Sequence, residues 1–192
     1  CPSSDPVVRL AALLHDIAKP QTQSAMPDQP GEYSFHNHEV VGARVARDIA
    51  RRLRLSKDDI QRIFILVRWH MFHYQPNMTD AAIRRFMRRV GLENLDDIMA
   101  LREGDRLGSG SKRTSWRLEE MKERIQAQLH QPMKVSDLAI SGHDVMEELK
   151  ITPGPQIGAV LNELFEEVLD DPDKNTREYL LERLHQIATK TN

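Results

Sequence analysis

The chain has 192 residues, of which 40% are apolar, 29% charged and 5% aromatic, with one cysteine and a formal net charge of −2. That length supports one full domain and a smaller appendage. A lone Cys1 excludes a disulfide framework or a Cys-rich zinc module, and no apolar run of about 18 residues is present to span a membrane. With no signal peptide in view, a cytoplasmic location is expected.

Abundant Leu, Ile, Ala, Arg and Glu with few aromatics predict an all-α fold. Asp5-Pro6 reads as an N-cap followed by proline at the first helical position. Val7, Leu10, Leu14 and Ile17 mark one face of a helix expected to stop before Pro20. Residues 20–37 are polar, and Thr22–Ser24 and Tyr33–Phe35 suit a short hairpin. A second helix is predicted from about His38 to Leu55, with Val41, Val45, Ile49 and Leu53 at spacings of four. Ser56 caps a third, which carries Ile60, Ile63, Phe64 and Val67 to His70. Thr79 caps a fourth that ends at Gly91, and a fifth covers Asn94 to Leu107.

Gly108-Ser109-Gly110-Ser111 reads as a linker, so a helical domain over 1–108 and a smaller helical arm over 109–192 are expected. In the arm, helices are predicted over Thr114–Leu129, Asp144–Lys150 and Gln156–Leu169. A last one is capped by Asn175 or Thr176.

The charge is unevenly placed. Residues 1–91 carry 14 Lys and Arg against 9 Asp and Glu, and residues 92–192 carry 13 against 20. The basic half contains Arg44, Arg47, Arg51, Arg52 and Arg54, then Arg84, Arg85, Arg88 and Arg89. Arginines at such helical spacing line one face and either grip phosphates or form a solvated surface.

The residues that carry chemistry are His15 and Asp16, adjacent where an apolar helix ends, followed by His38, His70 and Asp105 at wide spacing. An imidazole and a carboxylate at one helix end, with further ligands from other helices, suit a divalent metal, which activates water and clamps phosphate. Asp16 is the natural bridging carboxylate. Lys19, one turn beyond His15, is placed to pair with a phosphate oxygen. Taken singly, a helical His is most often a surface or hydrogen-bonded core residue. His36 and His73 compete for the role, and His130, His143 and His185 read as ordinary.

The stretch Leu10-Ala11-Ala12-Leu13-Leu14-His15-Asp16-Ile17-Ala18-Lys19-Pro20 resembles the signature of the HD superfamily of metal-dependent phosphohydrolases. Phe35-His36-Asn37-His38-Glu39 and Leu66-Val67-Arg68-Trp69-His70-Met71 resemble its second and third landmarks. Ala82 to Gly91, Leu101 to Gly108, Ile140 to Met146, Thr152 to Gly158, Val168 to Pro172 and Asn175-Thr176 resemble the bacterial tRNA nucleotidyltransferase (CCA-adding) and poly(A) polymerase family. That resemblance implies an HD domain and a C-terminal arm that holds tRNA or another RNA. The nucleotidyltransferase head, with its own catalytic metals, would lie upstream of this chain.

The resemblance further implies Asp16 and Lys19 as catalytic, and His15, Asp16, His38, His70 and Asp105 as ligands to Mg, Mn, Ni, Fe or Zn. It implies Arg84, Arg85, Arg88 and Arg89 as RNA contacts. The HD pattern has an earlier His, expected upstream of Cys1, so metal affinity is expected to suffer. A portion of a tRNA nucleotidyltransferase or poly(A) polymerase, serving tRNA 3′-end CCA addition or RNA 3′ processing, is the first expectation. The alternatives are a stand-alone HD phosphohydrolase acting on nucleotides or 2′,3′-cyclic phosphates, and a non-catalytic helical scaffold. The choice among CCA, CC, A and poly(A) addition, and the oligomeric state, are not written in these residues.

Overall fold

A computed structural model describes residues 1–191 of the chain. The fold is all-α, with one two-stranded hairpin among the described residues. The helices are α1 (Pro6–Leu14), α2 (Lys19–Thr22), α3 (His38–Arg52), α4 (Lys57–Trp69), α5 (Asp80–Val90), α6 (Leu95–Gly108), α7 (Trp116–Gln128), α8 (Gly142–Leu149), α9 (Pro155–Asp170) and α10 (Arg177–Thr191). The strands are β1 (Ser24–Ala25) and β2 (Tyr33–Ser34), paired antiparallel with Ser24 opposite Ser34. No helix of the described residues is long and apolar enough to cross a membrane.

Contacts divide the chain into two compact units, Cys1–Pro76 with Val90–Met121, and Asn77–Arg89 with Lys122–Asn192. This differs from a single cut after Gly108. The reason is that α6 runs through the first glycine of the expected linker, and α5 and the start of α7 exchange sides of the division.

In the first unit, α1 starts as its sequence dictates: the Asp5 carboxylate accepts the Val7 N–H at 2.7 Å and Pro6 sits at N1. The helix ends at Leu14, sooner than expected. Pro20 does not stop it but stands in the first turn of α2, where its missing N–H costs nothing. The face that α3 buries also differs from the expected Val41, Val45, Ile49 and Leu53. Gly42, Ala43, Ala46 and Ala50 are buried, whereas Leu53 is 56% exposed. Small side chains let α3 lie close against α4. A Cβ at Gly42 would already touch the His15 carbonyl oxygen at 3.5 Å and the Val67 side chain at 3.6 Å. The Arg62 guanidinium ties Asp5 (2.8 Å) to Asp97 (2.5 Å), joining the start of α1 to α6 through α4.

The second unit packs Leu138, Ile140, Val145, Leu164, Phe165, Val168, Leu169, Leu180 and Leu184 into one core. Its polar motifs fasten the chain around that core. Ser141 and Asp144 form a reciprocal capping box at the start of α8, and Arg177 of α10 holds Asp144 at 2.6 Å. The Asn175 side chain accepts the Ala139 N–H at 2.8 Å and donates to the Asp137 carbonyl at 2.9 Å.

Arg84, only 4% exposed, donates to the carbonyls of Leu169 (2.8 Å) and Asp170 (3.0 Å) and to Gln128 Oε1 (2.5 Å). It therefore satisfies carbonyls that the C-terminus of α9 leaves open. Glu167 of α9 takes the Arg183 guanidinium on both oxygens and the Tyr179 hydroxyl at 2.8 Å.

Arg84→Ala removes a buried donor and strands its three acceptors. It is expected to destabilise the chain by about 2–4 kcal/mol in denaturant unfolding, against under about 0.5 kcal/mol for exposed Arg52→Ala. The hydrogen bonds from Arg183 hold the Glu167 carboxyl below its ordinary value of 4.5; burial opposes this and Tyr179 assists. A carboxyl depressed on folding stabilises fully above its unfolded pKa and ceases to as pH falls through the folded one. The stability lost in Glu167→Gln should thus be full near neutrality and shrink below about pH 4.5, as read by acid-dependent melts of both chains.

Candidate metal centre

Three imidazoles of the first unit are fixed by the same local device. Helix termini leave carbonyls without a backbone partner. His15 is the C-cap of α1, and its Nδ1 meets the Ala12 carbonyl at 2.8 Å. His70 is the C-cap of α4, with Nδ1 2.7 Å from the Val67 carbonyl. His38 opens α3, with Nδ1 2.7 Å from the Phe35 carbonyl. Asn37, in the left-handed conformation at φ 63°, makes the turn between Phe35 and His38. Asparagine tolerates that conformation better than most residues. A carbonyl only accepts, so each Nδ1 donates, and each neutral ring presents a bare Nε2.

The three Nε2 atoms converge on two carboxylates. Asp16 Oδ2 lies 3.3 Å from His15 Nε2, while Asp16 Oδ1 lies 3.3 Å from His38 Nε2 and 3.7 Å from His70 Nε2. Asp105 Oδ1 lies 3.4 Å from His15 Nε2, and the His38 and His70 Nε2 atoms are 3.3 Å apart. The structure thus brings together His15, Asp16, His38, His70 and Asp105. His15, Asp16 and His70 offer ligand atoms within 4.8 Å of one another.

The donor set fits a divalent cation. Ligand atoms about 2.1 Å from one ion lie about 3.0–3.4 Å apart; His15–Asp16, His15–Asp105, His38–Asp16 and His38–His70 stand at 3.3–3.4 Å, and His70–Asp16 at 3.7 Å. Acceptor atoms facing one another at that distance repel unless a proton or a metal lies among them. His15 Nε2 is buried without a hydrogen-bond partner.

Burial pushes the His70 imidazole down to about 4, aided by neighbouring His15 and His38 and opposed by the Val67 carbonyl. The ring is therefore neutral and able to ligate at pH 7. Burial also works against a charged His15, but Asp105, the Ala12 carbonyl and Asp16 outweigh it and raise the pKa. The His15 ring, 3.4 Å away, holds Asp105 below its usual range against burial, and Arg102 assists.

Lys19, read from sequence as a phosphate partner, lies 2.6 Å from Asp16 Oδ2. It also lines a cleft of about 550 Å³ that opens beside His15, Asp16 and Asp105 and includes Arg9. Sequence reading passed over Arg9 and Arg102. Arg102 NH1 lies 3.4 Å from Asp105 Oδ2, and its position three residues before Asp105 on α6 was the available signal.

The arginines expected to contact RNA belong to the second unit and are largely engaged there. Arg84, expected as an RNA contact, is buried at the end of α9, where its guanidinium is taken up by the Leu169 and Asp170 carbonyls. Arg85 pairs with Glu166 (3.5 Å) and Asp170 (2.8 Å), and Arg88 with Glu166 (2.5 Å). Arg88 and Arg89 stand on the exposed side of α5.

The family model for tRNA nucleotidyltransferase domain 2 matches residues 40–184, a span that takes in His70 and Asp105 and begins just after His38. The chain is 38% identical over 169 residues to the A-adding tRNA nucleotidyltransferase of Deinococcus radiodurans, covering 86% of this chain and 38% of that protein. It is 38% identical over 159 residues to the CC-adding tRNA nucleotidyltransferase of Thermus thermophilus, covering 82% and 35%. A bifunctional uridylyltransferase/uridylyl-removing enzyme of Ruegeria pomeroyi is 37% identical over 79 residues, covering 41% of this chain and 7% of that protein. No solved structure matches. The chain spans little more than a third of the two tRNA nucleotidyltransferases. By a match that runs through most of both structural units, it belongs to the tRNA nucleotidyltransferase domain 2 family.

Proposed function

We propose that this chain is the RNA-holding portion of a tRNA nucleotidyltransferase that acts at the tRNA 3′ end, and that its HD residues form a divalent-metal centre within it. The observation that carries the first part is the match of most of the chain to relatives named for A or CC addition to tRNA. The second part rests on the convergence of three carbonyl-clamped imidazoles with Asp16 and Asp105. Nitrogen and carboxylate donors suit Mn, Fe, Ni or Zn, and Mg less well. Of the α5 arginines, Arg88 and Arg89 are the more exposed and would meet RNA phosphate, Arg88 by leaving Glu166, while Arg84 holds α9.

A second reading, phosphoester hydrolysis at the metal centre, is favoured by the cleft beside it and by the uridylyl-removing name of one relative. A divalent ion there supplies an activated water and a positive clamp for phosphate oxygens. Asp16 would hold the ion and orient the water, with its carboxylate steadied by Lys19. Arg9 and Lys19 would draw the phosphate of a nucleotide or 2′,3′-cyclic phosphate into the cleft. The buried His15 Nε2, which makes no hydrogen bond and faces the Asp16 and Asp105 carboxylates, supports a ligand role for the cluster.

Calorimetric titration with Mn²⁺ or Zn²⁺ should show binding that weakens by about 100-fold or more in His15→Ala and Asp105→Asn, with circular dichroism unchanged. A chain that takes up neither ion would overturn the metal centre. The metal-loaded chain should hydrolyse bis-p-nitrophenyl phosphate or a 2′,3′-cyclic nucleotide and lose that activity in Asp16→Asn. Failure to hydrolyse either would remove the second reading and leave the first intact. Binding of tRNA should fall with salt, and Arg88→Ala or Arg89→Ala should reduce the slope of log K against log salt by about one. A slope unchanged in both would sink the assignment of these arginines.

A further inference from the structure

A second polar pocket lies within the first unit, apart from the metal cleft. About 150 Å³ in volume, it is walled by Phe72, His73 and Tyr74 after α4, by Arg102 and Arg106 of α6, and by Arg117 with Ser115 at the start of α7. Its lining holds three guanidinium groups and no carboxylate among the described residues.

The pocket is preorganised. Arg106 donates to the carbonyls of Lys112 (3.0 Å) and Thr114 (3.3 Å) and so pins the loop that brings Ser115 and Arg117 into place. Arg102 meets one carboxylate oxygen, that of Asp105 at 3.4 Å, and Arg106 donates to backbone carbonyls, so the positive charge here is only partly compensated. Beside the pocket, the indole of Trp116 is 62% exposed, with the Arg117 guanidinium carbon 5.3 Å from its ring centroid. An exposed large aromatic costs solubility unless something covers it. Next to arginines it is the arrangement on which a nucleobase stacks while its phosphate is held.

We propose that this pocket seats the phosphate of one nucleotide unit, held by Arg102 and Arg117, with the base of that unit stacked on Trp116. Arg117 is the exposed member that meets the anion, and Arg106 is the positioning residue that fixes the loop. The pocket gives the RNA-holding role proposed above a defined seat and rests on that reading for its ligand. It shares one contact with the metal centre, that of Arg102 with Asp105, and none of its lining residues belongs to the five of that centre.

The test is calorimetric titration of the chain with AMP, inorganic phosphate and a short single-stranded RNA, each against Arg117→Ala, Arg117→Lys and Trp116→Ala. AMP is expected to bind more tightly than phosphate. Arg117→Ala should weaken AMP by about tenfold, the scale of one charged hydrogen bond, with Arg117→Lys retaining part. Trp116→Ala should weaken AMP and RNA but not phosphate. Equal affinity for AMP and phosphate would overturn the stacked base. Affinity for AMP unchanged in both Arg117→Ala and Trp116→Ala, or no binding of any probe, would overturn the pocket. If tRNA still binds in that case, the RNA-holding reading stands without it. If tRNA fails to bind but AMP binds through Arg117, the pocket stands and the RNA-holding reading falls.

Discussion

The first unit depends on one repeated contact, an imidazole Nδ1 donating to the backbone carbonyl three residues before it. At His15 and His70 that carbonyl belongs to the last turn of a helix, where the chain has run out of amides to satisfy it. At His38 it belongs to the turn that Asn37 makes ahead of α3. At His15 and His70 the contact ends the local hydrogen-bond deficit, whereas the Phe35 carbonyl also accepts the His38 backbone N–H at 3.3 Å; in all three it fixes the ring's tautomer. It also turns Nε2 outward from its own element. Three helix ends near one point then face their Nε2 atoms at one another, across a spacing that a proton or a metal makes favourable. The close approach of α3 and α4 follows from the same requirement: the Gly42, Ala43, Ala46 and Ala50 stripe brings His38 within 3.3 Å of His70.

The second unit is built on a different economy. Its polar residues are spent on joining segments that a small core leaves apart. Arg84 ends α9, Asn175 ties the chain before α10 to that before α8, and Arg177 clamps the capping box at Ser141 and Asp144. Motifs that resemble a tRNA-binding arm thus include many residues whose work is internal. The proposed RNA-holding role would need rigidity as well as charge, and these joints tie the unit's segments together.

Much of this was legible from the chain alone. His15-Asp16 at the end of an apolar period, with His38, His70 and Asp105 each at an element's edge, pointed to the five residues that the structure brings together. The Asp5-Pro6 start, the Ser56 cap and the Gly91 stop, where φ is +85°, are local signals and were read correctly. What could not be read was tertiary. The buried face of α3 is its alanine stripe rather than its valines, because closeness to α4 outweighs side-chain apolarity there. Arg84 looks like its neighbours Arg85 and Arg88 in sequence, and only the position of α9 decides that it is buried. The guanidinium pocket draws on three separated segments with no shared motif, so no spacing rule finds it.

The clamp on the histidines can be observed directly by long-range ¹H–¹⁵N correlation of the imidazole rings at about pH 8, where neutral rings report their tautomer. His15, His38 and His70 should each carry the proton on Nδ1, and the three Nε2 resonances should shift together when Zn²⁺ is added. Nε2–H tautomers in any two of the three rings, or Zn²⁺ that leaves their Nε2 resonances in place, would contradict a centre built by backbone carbonyls.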